Sequence, residues 1–158
     1  MTKECKQQFT LRITQANKTE LIVILYEMVL SYLEDAQNHL KEESIAEFRE
    51  SIRRVRGCIG ELISSLNLEY EPAPALLSLY LYCNRELTKA DIRKEKTHTD
   101  NVKMVIEKLL TAYRELAKQD DSEPVMQNSQ TVYAGLTYGK NSLAENMADQ
   151  GANRGFRA

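Results

Sequence analysis

The sequence predicts an all-α protein, an antiparallel up-down four-helix bundle with a flexible N-terminal arm and a flexible C-terminal tail. Three observations predict it. Apolar residues recur at helical spacing in four long segments. Two of those segments open on a capping-box pair, Asn17 with Glu20 and Ser44 with Glu47. No stretch shows sustained period-two alternation or a hairpin turn signal. Residues 1–16 read as the arm, 17–119 as the bundle and 120–158 as the tail.

The first predicted helix runs from Lys18 to Lys41. Leu21, Leu25, Met28, Val29, Tyr32, Leu33 and Ala36 share one face, the expected core stripe. Val23, Tyr26 and Leu30 make a second stripe on the far side, where a surface helix would carry charge. Deeper burial and a partner-binding face are both open readings of that surplus. The second helix runs from Ser44 to Leu66 on a narrow stripe of Ile45, Phe48, Ile52, Val55, Ile59, Leu62, Ile63 and Leu66. Pro72 and Pro74 then mark a connection or the very start of the third helix, from about Ala75 to Lys94. Its core side is Leu76, Leu79, Tyr80, Cys83, Leu87 and Ala90. The polar run Arg93 to Asp100 reads as a turn, with Thr97 or Asp100 capping a fourth helix that ends near Lys118. That helix offers Val102, Val105, Ile106, Leu109, Leu110, Tyr113 and Leu116.

Composition narrows the function classes. The 158 residues suit one domain, with 42% hydrophobic and 28% charged residues. A net charge of −2 gives no field favouring nucleic acid or a membrane surface. Glu27 breaks the longest apolar run well short of a bilayer span, and the polar N-terminus leads to no signal sequence. Three cysteines without metal or redox spacing suggest reduced thiols in a soluble, cytoplasmic protein. After Gln119 the chain carries three basic and five acidic residues and four of the six glycines, the composition of a flexible extension.

The catalytic inventory is empty, and no cofactor or metal is expected. A di-iron bundle needs two Glu-x-x-His pairs, and only Glu95 with His98 matches, in a predicted turn where a histidine is normally solvated. No nucleophile elbow, P-loop or Cys/His pairing appears. Arg49, Arg53, Arg54 and Arg56 alternate with acids as a solvated face does. Surplus apolar surface is what remains. Leu77 and Leu81 lie off the core stripe of the third helix on one side, and Tyr82 on the other. Gly57 and Gly60 interrupt the second helix at about 1 kcal/mol each relative to Ala, pointing either to close approach of another backbone or to core packing. The first and third helices of an up-down bundle are diagonal. A ligand using both extra stripes must therefore wrap around, as a polypeptide can and a small molecule cannot.

These residues carry a family likeness. Ile13-Thr-Gln-Ala-Asn-Lys-Thr-Glu-Leu-Ile-Val-Ile-Leu-Tyr-Glu27 resembles the V-L-T-A-S-P-x-E-L-I-x-M-L-Y-D-G entry to the first bundle helix of the FliS family of flagellar export chaperones. Ser65-Leu-Asn-Leu-Glu69 is similar to its S-L-D/N-x-E segment, and Leu79-Tyr-Leu-Tyr-Cys-Asn-Arg-Glu-Leu-Thr-Lys-Ala-Asp91 to its L-Y-D-Y-M-x-R-x-L-x-x-A-N signature. Met104 to Glu115 follows the late E-V-x-x-L-L-x-x-L-R-D pattern loosely. Lys18, Met28, Leu81 and Cys83 depart from the family's usual Pro, Gly, Asp and Met. The family's frequent tryptophan near Ala117 and its N-terminal tyrosine are missing.

The resemblance implies a cytoplasmic chaperone, a monomer or weak homodimer. It would bind the disordered C-terminal segment of flagellin, prevent premature polymerisation and deliver it to the flagellar type III export gate. No nucleic acid, membrane insertion or enzymatic chemistry is implied; the alternative is a helical-bundle adaptor with another helical client. The client surface expected on this basis is Val23, Tyr26, Leu30, Gly57, Gly60, Leu77, Leu81 and Tyr82. Tyr138 to Asn153 faintly resembles a flagellin C-terminus, Y-S-x-N-N-I-L-x-Q-A-G-x-x-M-L-x-Q-A-N, which suggests a self-mimic in the tail.

Overall fold

A computed structural model describes residues 1–126. The chain divides into two units, Met1–Pro124 and Val125–Ala158. Of the second only Val125 and Met126 are described, both exposed, so the tail mimic expected at Tyr138 to Asn153 lies outside the described residues. The first unit contains five helices: α1 (Lys3–Gln15), α2 (Lys18–Lys41), α3 (Ile45–Ser64), α4 (Ala73–Arg93) and α5 (Lys96–Gln119).

The expected flexible arm is corrected, because residues 3–15 form a helix. The Thr2 hydroxyl caps it by accepting from the Cys5 amide at 3.2 Å. Cys5, Phe9 and Ile13 recur every four residues and give α1 its one half-buried side. The chain straightens at Ala16, and Asn17 starts α2 with the expected reciprocal cap. The Glu20 amide donates to Asn17 Oδ1 at 2.9 Å, and the Asn17 amide donates to Glu20 Oε2 at 3.0 Å.

The Ser44–Glu47 box does not form. Glu43 adopts φ 57° and the Ser44 amide donates back to the His39 carbonyl at 2.9 Å, leaving the Ser44 side chain without a capping bond. A tight left-handed exit from α2 thus decides the geometry there. Helix α4 begins at Ala73, earlier than its apolar pattern suggests. Pro72 is its N-cap and Pro74 sits in the first turn, where a missing N–H costs nothing. Lys94, at φ 55°, ends α4, and Glu95 rather than Thr97 or Asp100 is the N-cap of α5.

The four long helices pack in a closed circuit: α2 on α3, α3 on α4, α4 on α5 and α5 on α2, with α1 added against α2. Hydrogen bonds join opposite ends of neighbours. Gln37, late in α2, donates to Asp100, early in α5, at 2.8 Å, and Asn17 donates to the Asp120 carbonyl at 3.0 Å. Arg49 and Arg56 of α3 meet Asp91 and Thr88 of α4 in reverse order. Inside lie Tyr26, Val29 and Leu33 of α2, Phe48, Val55 and Ile59 of α3, Tyr80, Cys83 and Leu87 of α4, and Val102 and Ile106 of α5. Three core stripes therefore run largely as the periodicity predicts. The α2 stripe is rotated: Leu21, Leu25 and Met28 are only half-buried, while Val23 and Tyr26 go inside. Leu79 and Leu116, expected in the core, are exposed.

Candidate functional site

The eight residues expected to form a client surface do not share one. Tyr26 is 0% exposed and Val23 is buried, so neither is available as surface, and the deeper-burial reading holds for both. The Tyr26 hydroxyl lies 2.5 Å from that of Tyr80, a hydrogen bond that crosses the core from α2 to α4. Tyr113 packs its ring edge-on to Tyr26, with centroids 5.5 Å apart. Burial raises both phenols, Tyr80 to about 12, and Tyr26 further still with the added effect of the Tyr80 bond. A hydroxyl so placed needs a partner, and each tyrosine supplies the other's.

Leu30 is half-buried and packs against the core from α2. On α3, Gly60 follows Arg56 by one turn; on α4, Leu81 precedes Thr88 by two turns and Leu77 by three. The Arg56–Thr88 bond, 2.6 Å long, therefore sets Gly60, Leu77 and Leu81 along one seam between α3 and α4. Leu81 is 44% exposed and Leu77 half-buried. Gly57 and Gly60 face outward, and a Cβ built on either meets nothing within 4 Å among the described residues. Neither close backbone approach nor core packing accounts for them there. Tyr82 precedes Glu86 by one turn and so turns toward the seam with α5. What the structure brings together is Gly60, Leu77 and Leu81, with Gly57 beside them.

The outer side of α2 is covered by α1. The Met1 ammonium pairs with Asp35, and Arg12 pairs with Glu27, which also receives Arg114 Nη2 of α5 at 3.0 Å. Burial alone would raise the Glu27 carboxyl, but hydrogen bonds from Arg12 and Arg114 outweigh it and hold the group below its usual range. The charge that interrupts the apolar run of α2 is thus the clamp that binds α1 and α5 to it. Sequence reasoning missed this helix; the spacing of Cys5, Phe9 and Ile13 was its available signal.

His98 is buried, not solvated. Its Nδ1 is 2.9 Å from Glu86 Oε2, and Asn101 donates to the same oxygen at 2.9 Å while Lys89 meets Oε1. Bonds from Asn101, Lys89 and His98 hold the Glu86 carboxyl down at about 2. Glu95 Oε2 approaches the opposite ring nitrogen at 3.4 Å. The two carboxylates therefore flank the imidazole instead of converging with it on one point. Among the described residues no group of three or more His, Cys, Asp and Glu is arranged to hold a metal ion. This cluster fastens α4 to α5.

Among the described residues no helix is long and apolar enough to cross a membrane. No curated protein matches the chain significantly. A family model does: that of the flagellar protein FliS matches residues 1–120, a span that takes in all five helices and the Asn17–Asp120 bond closing them. The chain belongs to the FliS family.

Proposed function

We propose that this protein is a cytoplasmic flagellar export chaperone. It binds the disordered C-terminal segment of flagellin, prevents premature polymerisation and delivers the subunit to the flagellar type III export gate. The observation that carries the reading is the family match over residues 1–120, three quarters of the chain and every described helix. The closed circuit of neighbours and the end-to-end hydrogen bonds support an antiparallel up-down four-helix bundle as the platform.

The client surface follows the α3–α4 seam. Leu81, flanked by Leu77 and by the bare backbone at Gly57 and Gly60, offers apolar contact and room for a helix or strand to lie close. Nothing in this role requires catalysis or a cofactor. The test is calorimetry with a peptide spanning the C-terminal segment of the host's flagellin, with circular dichroism in parallel. Micromolar or tighter binding with a gain of helix is the expected result. Absence of binding removes the proposal, and Leu81→Glu should weaken binding while leaving the fold intact.

A further inference from the structure

The charged residues of α3 are sorted by side. Glu47, Glu50 and Arg54 line a hollow against Tyr32, Asp35 and His39 of α2. Arg49 and Arg56 instead reach α4, where they meet Asp91 at 3.2 Å and the Thr88 hydroxyl at 2.6 Å. Arg53 lies one turn from each of them and continues their line. Across the seam Arg85 of α4, which is exposed, precedes Thr88 by one turn. Arginines that alternate with acids in the sequence are thus gathered, in the fold, on the seam that carries Leu77, Leu81 and Gly60.

Much of that charge is uncompensated. Arg53 grips Glu50 through two bonds of 2.7 and 2.8 Å, and Arg54 takes the same carboxylate at 3.0 Å. Asp91 is shared between Arg49 and Lys94. Arg56 has a neutral partner: the Thr88 hydroxyl accepts from it and donates its own proton to the Asn84 carbonyl at 3.0 Å. Arg85 meets no acid among the described residues. Glu50 and Asp91 are therefore the acids that answer Arg49, Arg53, Arg56, Arg85 and Lys94, in a chain whose net charge is −2. The seam is cationic against the sign of the whole protein.

We propose that the α3–α4 seam recognises acidic side chains of the client, Arg56 and Arg85 holding a client carboxylate beside an apolar residue seated on Leu81. The proposal rests on the chaperone reading and names the chemistry of the client segment at that same surface. Leu81 precedes Arg85 by one turn and Gly60 follows Arg56 by one, so the apolar patch and the uncompensated guanidinium groups adjoin. A guanidinium presents a planar fork of N–H donors that matches a carboxylate. The bare backbone at Gly57 and Gly60 leaves room for the client to come close. A segment with Asp or Glu one turn from its apolar anchor fits this surface, and one with Lys or Arg there is repelled. Leucines beside the arginines and the negative net charge favour a polypeptide over a nucleic acid.

The test uses the full chain, the same flagellin peptide and a second peptide with every Asp and Glu replaced by Asn or Gln. At low ionic strength the neutral peptide should bind the wild type about five- to tenfold more weakly. Added salt should close that gap. Arg56→Gln with Arg85→Gln should weaken the acidic peptide by a similar factor and the neutral one hardly at all. Lys103→Gln with Lys108→Gln removes the same charge from exposed positions of α5 and should leave affinity unchanged. Circular dichroism establishes that both variants are folded. Equal affinity of the two peptides for the wild type, or losses that simply add, overturns the carboxylate contact and leaves the chaperone reading standing. No binding of either peptide by the wild type removes both. If single-stranded RNA is held through Arg56 and Arg85 while the two peptides bind alike, the seam belongs to a nucleic acid and the proposal is wrong.

Discussion

Replacing both outward glycines, Gly57→Ala with Gly60→Ala, separates stability from binding in a single variant. Each lies within α3, and a Cβ at either position has no heavy atom within 4 Å among the described residues. Nothing has to move to admit the methyl group. Alanine then gains its full helical advantage, about 1 kcal/mol per site, chiefly by restricting the unfolded chain. The two positions are one turn apart but need not compete for space, so the effects add to about 2 kcal/mol. For a domain of this size that raises the thermal midpoint by about 8 °C. Thermal and urea unfolding followed by circular dichroism measure it. A midpoint that stays put or falls would refute the reasoning, because it would require a close neighbour that the described residues do not supply. Client affinity is the second readout. If the bare backbone receives the client, the same variant is more stable yet binds several-fold more weakly. Greater stability with unchanged affinity would detach the glycines from the client surface.

Other expectations follow from the buried pairs. Tyr26→Phe leaves the Tyr80 hydroxyl without its 2.5 Å partner and should cost about 1–3 kcal/mol. Adding Tyr80→Phe should then cost little more, and additive losses in urea unfolding would contradict the coupling. Glu27→Gln weakens the clamp from Arg12 and Arg114, so amides of residues 3–15 should exchange faster by hydrogen–deuterium measurement while the global midpoint moves little. Uniform protection would show that α1 is held otherwise. Because the folded-state pKa of Glu86 is lowered from 4.5 to about 2, its stabilisation is complete above 4.5 and lost as pH falls through about 2. The urea midpoint of the wild type should therefore drop more steeply across that window than that of Glu86→Gln; parallel curves would assign the acid sensitivity elsewhere. Cys58 and Cys83 are buried, and burial lifts each thiol to about 11. Only Cys5 should react quickly with a thiol reagent in the native state, and a second fast thiol would contradict the packing.

Periodicity served the fold well wherever a helix has one buried side. The centres of the α3 and α5 stripes are buried as the periodicity predicts, Phe48, Ile52, Val55, Ile59 and Leu62 in one and Val102, Ile106 and Leu110 in the other, while the stripe ends at Ile45 and Leu116 are exposed. Helix ends were legible where a side chain makes the cap, as at Asn17, and misleading where backbone conformation decides. At Glu43 and Lys94 the left-handed exit sets the next helix; Ser44 holds the N-cap position of α3 without a side-chain bond, and Glu95, not Thr97, holds that of α5. His98 was misplaced for a similar reason. The polar run around it belongs to the first turn of α5, where Glu86 of the neighbouring helix reaches it, and local composition carries no record of that neighbour.

Helix α2 shows the limit most directly. Its two apolar stripes were read as one core face and one surplus face, yet α2 has three neighbours: α3, α5 and α1. A periodic pattern states how much surface is apolar but not how many helices cover it. Tyr26 lay on the supposed surplus stripe and Tyr80 on a core stripe, and the two meet in the middle of the protein. Once that burial is assigned, the apolar surface of α2 no longer argues for a client. The argument passes to side chains the core leaves exposed: Leu81 on the α3–α4 seam, and Leu116 and Tyr70 where α5 ends and α4 begins. Sequence pattern read neither Leu116 nor Tyr70 as surface: Leu116 was expected in the core because it continues the α5 stripe, and Tyr70 sits in a connection. A binding face of this kind is found by asking where a core stripe outruns its neighbour, and that question needs the neighbour's position.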